Sequence, residues 1–284
     1  MSKIKIVVDS TSGIDFMENK IDAEVLRLFV LFDGKQYVDG IDLTPKEFYE
    51  MIDANTHALP STSQPTIGGT VEQFERLKSE GYTDLIVLTL SGGLSGTYAT
   101  TVSAKEMVED INVHIIDSKT AVAPTYQMAS KAYDMVNEGK SVSEIVEFIE
   151  EIKNDYKIYL AVGDLTLLKK NGRLSTASAM IGSLLKVKPL LKVDEAGVVE
   201  SVEKIRTMKK ALRRMAETFI EEGKGASEVT ILHSNCPELA EEFKAMIVEE
   251  DHTLESVVVY PLTPVIGSHL GTGTVGITFR KGRL

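Results

Sequence analysis

The chain has 284 residues, enough for one large hydrophobic core or two domains, and its 43% hydrophobic and 26% charged residues describe an ordinary soluble globular protein. Its formal net charge of −11 argues against a nucleic-acid partner, whose phosphates would be repelled. The one cysteine, Cys236, excludes an intrachain disulfide.

Taken in chain order, Ile4–Val8 is a β-branched run that ends in a polar loop, Asp9-Ser-Thr-Ser-Gly13, and reads as a first parallel strand. This apolar stretch is too short for a signal-peptide core, and no run approaches membrane-spanning length. Both observations predict a cytoplasmic protein with no stable membrane insertion. Residues 24–32 and 35–38 flank Asp33-Gly34, a strong hairpin signal. Thr44-Pro-Lys-Glu47 combines an N-cap, a first-turn proline and a capping box, and predicts a helix to about Ala54. A polar cluster at residues 60–66 follows as a loop, then a helix to about Gly81.

Asp84–Leu90 reads as a buried strand, the Ser/Gly stretch 91–97 as a loop, and the residues from Tyr98 as a helix. A strand at 112–116, helices at 124–139 and 141–153 and a strand at 156–162 continue the alternation. Such alternation predicts a mostly parallel sheet covered on both faces. Beyond Asp164 the pattern changes. Strands at 189–193 and 198–205 form a hairpin across Asp194–Gly197, and two strand–helix units and a last strand at 276–279 follow. The chain is therefore read as α/β with two domains: 1–163, parallel with a hairpin insertion near 24–40, and 164–284, a mixed sheet. A ligand is expected between them.

Three small-residue clusters carry the candidate chemistry: residues 60–66, 91–98 and 266–276. The strand–loop–helix context of the second suits an anion, because free N–H groups and the helix dipole favour negative charge there. Hydroxyls of Thr62, Ser63 and Ser95, the backbone at Gly96, and His269 between Gly267 and Gly271 could converge on a carboxylate or phosphate. The competing reading makes the hydroxyls plain N-caps. His57, His114, His233 and His252 read as structural or exposed. A catalytic alternative exists: Gly93-Leu-Ser95-Gly-Thr97 nearly matches the Gly-x-Ser-x-Gly elbow, and Asp117 or Asp164 with His269 would complete an acyl-ester hydrolase. Neither metal-ligand spacing nor a P-loop occurs, and Gly271-Thr-Gly273-Thr-Val-Gly276 precedes a strand rather than a helix. No metal or cofactor is expected.

Together the motifs resemble the DegV family of bacterial fatty-acid-binding proteins. The resemblance runs nearly end to end. It rests on Val8-Asp-Ser-Thr11, the Asp33-Gly34 hairpin, Thr62-Ser-Gln-Pro65, Leu94-Ser-Gly-Thr-Tyr98, Ile116-Asp-Ser118, Leu168-Lys-Lys-Asn-Gly-Arg173, Lys188-Pro-Leu190 and Gly267-Ser-His-Leu-Gly271. It implies a two-domain DegV/DhaK-like fold with a Rossmann-like first sheet. It also implies a long-chain fatty acid whose carboxylate is held by Thr62, Ser95, Gly96 and His269, with Ser91, Ser63, Arg173 and Gly271 as secondary candidates. The acyl chain would run along Ala177, Ile181, Leu184 and Leu185. The implied partner is a separate ATP-dependent fatty acid kinase, to which the acid is presented; Arg173 would dock it or close the headgroup site. The chain departs from the family pattern at Gly92, Asn171 and Thr272, where the family has Ser, Gly and Pro.

Overall fold

The computed structural model describes residues 2–17, 20–54, 58–174, 187–223 and 225–281. Strand β1 (Ile4–Asp9) is followed by a stretch expected to be one strand but divided in two. β2 (Glu24–Leu26) joins β1 in parallel, whereas β3 (Phe29–Phe32) turns away and pairs antiparallel with β4 (Lys35–Val38). Asp33 and Gly34 have φ of 50° and 74°, the two left-handed residues that a tight type I′ hairpin requires. Helix α1 (Pro45–Ala54) opens on the expected capping box. The Thr44 N–H donates to Glu47 Oε2 at 2.8 Å, and the Glu47 N–H to Thr44 Oγ1 at 3.3 Å. The cluster read as a loop at residues 60–66 contains β5 (Ser61–Ser63), a third strand on the hairpin sheet, with Thr62 opposite Val30.

Next come α2 (Ile67–Ser79), β6 (Asp84–Thr89), α3 (Thr97–Lys105), β7 (Asn112–Asp117), α4 (Ala123–Asn137) and α5 (Val142–Ile152). The first sheet is wholly parallel in the order β2-β1-β6-β7. Its strands are apolar on both faces, as a covered parallel sheet demands. Ile6, Val8, Ile86 and Leu88 pack on Met128 and Ala132 of α4 and Ile145 and Ile149 of α5. Val7, Leu85 and Val87 pack on Phe74 and Leu77 of α2 and Ala104 of α3.

The sequence pattern groups β8 (Tyr156–Ala161) with the first half, but it is a central strand of a second sheet. After α6 (Thr166–Lys170) come β9 (Leu190–Val193), β10 (Val199–Glu203), α7 (Met208–Glu222), β11 (Ser227–His233), α8 (Pro237–Glu250), β12 (Val258–Pro261), α9 (Pro264–Leu270) and β13 (Val275–Arg280). The order β10-β9-β8-β13-β11-β12 is mixed: β11 and β12 run in parallel and the other described pairs are antiparallel. β8 is drawn there by its antiparallel neighbour β13, a pairing across more than a hundred residues that local pattern does not encode.

The glycine-rich stretch 266–276 reads as a loop in sequence, yet its first part belongs to helix α9. Thr263 caps it, accepting from the Ile266 N–H, and Pro264 takes the first position. One core cluster lies between the sheets and joins Leu28, Val30, Phe48, Tyr49, Leu160, Leu232 and Val265. Gly267 lets α9 settle directly on α1. A Cβ there would lie 2.6 Å from the Tyr49 hydroxyl oxygen and 2.7 Å from Phe48 Cε1, both in fully buried rings. Gly267→Ala should therefore overpack this contact and destabilise the fold by about 1–3 kcal/mol, seen as a lower midpoint in chemical denaturation. An unchanged midpoint would show that α9 does not need this close approach.

Candidate functional site

Where the hairpin sheet, the parallel sheet and the six-stranded sheet converge, a cavity encloses about 710 Å³ of empty space, open solvent at its mouth included. Fifteen of its nineteen described lining residues are apolar. Leu28 and Leu90 come from the first layer, Ile158, Leu160 and Leu232 from the second sheet, and Leu270 from α9. The four polar ones are Thr62, Ser95, Arg173 and His269, and each is a candidate that the sequence motifs single out.

All four line this same cavity. Thr62, on the third strand of the hairpin sheet, and His269, in the last turn of α9, share a hydrogen bond of 2.9 Å between Oγ1 and Nε2. His269 Nδ1 is buried and has no hydrogen-bond partner among the described residues. In either tautomer the pair keeps a donor beyond its shared bond: Nδ1–H if Thr62 donates, or the Thr62 hydroxyl if Nε2–H donates. Burial, aided by the nearby Arg173 charge, pushes the imidazole pKa down to about 4, so His269 is neutral at pH 7. Ser95 precedes α3; its Oγ lies 2.9 Å from Thr97 Oγ1 and accepts from the Thr97 N–H at 3.3 Å. Arg173 donates from Nε to the Leu94 carbonyl at 3.2 Å, which ties it to the Ser95 loop, and from its guanidinium to the Asn171 carbonyl. Its hydrogen bonds go to backbone carbonyls, and among the described residues it forms no ion pair. Its positive charge is thus available to an anion.

Other candidates lie elsewhere. Ser91 is fully buried; its hydroxyl donates to the Gly197 carbonyl at 2.7 Å and accepts from the Gly93 N–H at 3.0 Å, which latches the β9–β10 turn onto the first sheet. Ser63 bonds to the neighbouring Gln64 carbonyl, off the cavity wall. Gly96 begins α3 and has the Gln64 side chain packed against it, so that a Cβ would sit 2.0 Å from Gln64 Oε1. Gly271 ends α9 at φ 67° and does not line the cavity. Ala177, Ile181, Leu184 and Leu185 lie outside the described residues.

The hydrolase geometry does not form. His269 Nε2 is bonded to Thr62, not to Ser95. Asp117 binds the N–H groups of Gly92 and Lys119 and the Lys119 ammonium, and Asp164 binds the Thr166 N–H. The sequence reading missed three supporting roles. Gln64 Nε2 donates to Thr100 Oγ1 at 2.7 Å and fastens the strand carrying Thr62 to α3. Buried Asp39 accepts from the Val265 N–H at 3.2 Å at the start of α9, and burial pushes its carboxyl up to about 7. Asn171 bonds the carbonyls of Pro60 and Ser268. Among the described residues no group of side chains could hold a metal ion, and no helix is long and apolar enough to cross a membrane.

Two α/β layers thus enclose an apolar cavity with a small polar cluster set in its wall. A sequence model of the DegV family, described as uncharacterised proteins, matches residues 3–282, and the chain belongs to that family. It is 37% identical over 286 residues to a DegV domain-containing protein of Halalkalibacterium halodurans, covering 98% of this chain and 99% of that one. Among solved structures it resembles DegV of Bacillus subtilis, described as a fatty acid binding protein: TM-score 0.85, 34% identity, 99% of this chain and 100% of the other. It also resembles a fatty acid binding DegV family protein of Streptococcus agalactiae: TM-score 0.87, 30% identity, 100% of both chains.

His269 makes stability pH-dependent with a definite sign. Its folded pKa of about 4 lies below the ordinary 6.5, so the unfolded chain binds more protons between those values. The native state should lose on the order of 3 kcal/mol from this group as pH falls from about 6.5 to 4. His269→Gln should flatten that part of the stability–pH profile in urea denaturation. A profile as steep as that of the unsubstituted protein would place the proton elsewhere.

Proposed function

We propose that this protein binds a long-chain fatty acid, with the carboxylate against Thr62, Ser95, Arg173 and His269 and the acyl chain in the apolar cavity. One observation carries the reading: among the described residues, the polar part of the cavity wall is four side chains able to offer hydrogen bonds, one of them positively charged. The solved relatives described as fatty acid binding proteins support it. An acyl chain of about sixteen carbons gains on the order of 12 kcal/mol gross from burial, at roughly 0.8 kcal/mol per methylene and before association costs. Each charge-assisted hydrogen bond adds about 1.5–3 kcal/mol and fixes the headgroup. Tail burial therefore sets the affinity, and the polar cluster sets the orientation.

The resemblance noted in the sequence adds a role. The protein is a non-catalytic carrier in the cytoplasm that presents its bound acid to a separate ATP-dependent fatty acid kinase. A carrier needs groups that hold a carboxylate without attacking it. Ser95 suits this, since its neighbour is a threonine hydroxyl rather than a base.

Mass spectrometry of the purified protein after denaturation should release close to one fatty acid per chain. Protein that emerges empty and takes up no added palmitate would overturn the reading. Thr62→Ala and His269→Ala should each weaken palmitate binding by about ten- to a hundredfold. Both should leave the affinity for methyl palmitate, which lacks the charge, nearly unchanged. Equal losses for acid and ester would mean that these residues shape the cavity rather than hold a carboxylate.

A further inference from the structure

The headgroup cluster is assembled from segments far apart in the chain, and one side chain outside the cavity wall touches the supports of three of its members. Asn171 ends α6 with φ −86° and ψ 3°, an ordinary backbone conformation. The left-handed position of this turn falls on the next residue, Gly172, at φ 68°. Backbone geometry therefore does not call for an asparagine here, and the side chain is what remains to be explained. Its Nδ2 group donates to the Pro60 carbonyl at 3.2 Å and to the Ser268 carbonyl at 3.0 Å. Pro60 leads into the strand that carries Thr62, and Ser268 immediately precedes His269. The Asn171 carbonyl in turn accepts from the Arg173 guanidinium.

We infer that Asn171 is a positioning residue for the anion site, whose amide sets the spacing between Thr62 and His269 and whose carbonyl orients Arg173. The inference rests on the carboxylate reading of that site. An amide has two N–H donors at a fixed angle, so two carbonyls that both bind it are held at one separation. The Ser268 carbonyl lies in the last turn of α9, where backbone acceptors lack helical partners, and Asn171 supplies one. Removing the amide frees the strand and the helix to drift by fractions of an ångström, and a hydrogen-bonded headgroup feels such a drift far more than an apolar tail does.

The test is a binding cycle with palmitate. Asn171→Ala should weaken binding about fivefold in the unsubstituted protein, and it should add nothing in a chain already carrying Thr62→Ala and His269→Ala. Asn171→Ser, which keeps one donor, should fall between and covers the case in which the alanine variant folds poorly. In labelled protein the His269 imidazole should titrate closer to the ordinary range after Asn171→Ala, while His233, whose ring accepts from the Cys236 N–H, keeps its titration. The same fivefold loss in both backgrounds, or no loss in either, overturns the inference. If the Thr62/His269 double variant itself binds palmitate as well as the unsubstituted protein, the carboxylate reading falls, and this inference with it.

Discussion

The hydrogen bond between Thr62 and His269 spans 207 positions of sequence, and much of the architecture serves to make it possible. Thr62 reaches it only because residues 61–63 join the hairpin sheet instead of looping freely. His269 reaches it only because α9 lies against α1 and is tied at its start to buried Asp39. The bond also solves an electrostatic problem. A charged imidazole in this apolar wall would be expensive, and the neutral form can share a proton with a hydroxyl and still retain a donor. Arg173 is left as the one formal charge among the described residues of the cavity wall.

Much of the fold was legible because local chemistry and global structure agree. The capping box of Thr44 with Glu47 forms as its spacing requires. The Asp33-Gly34 turn adopts the backbone that only such a pair takes readily, and β6 is buried along its whole length. The failures among the strands share a cause: pairing partners distant in sequence. β2 and β3 divide one apolar run because each finds a different sheet, and β8 belongs to whichever sheet β13 enters. Helix α9 was hidden by its glycines. A helical glycine costs about 1 kcal/mol against alanine, and here close packing on Phe48 and Tyr49 offsets it. Thr263-Pro264 is the one local helix-start signal of α9.

The polar residues of the site were legible as chemistry rather than as geometry. Ser91 and Ser95 flank the same short loop, and only the fold separates them: one hydroxyl is spent latching the β9–β10 turn, the other faces the cavity. The part played by Asn171 could not be read, because it is a relation between two carbonyls that lie 97 and 111 positions away. No property of the residue alone announces that relation.

The contact that Gly267 permits divides the cavity into two mechanical regimes. At the polar end a short helix rests against aromatic rings with no room at Gly267 for even a methyl group, and the His269 imidazole in its last turn is held by Thr62. The remainder of the wall is mostly leucine, isoleucine and valine, whose rotamers can adjust to what they enclose. A receptor with one rigid end and one compliant end is strict about what a molecule presents first and lenient about what trails behind. It would recognise a class defined by a shared terminus, not a single compound.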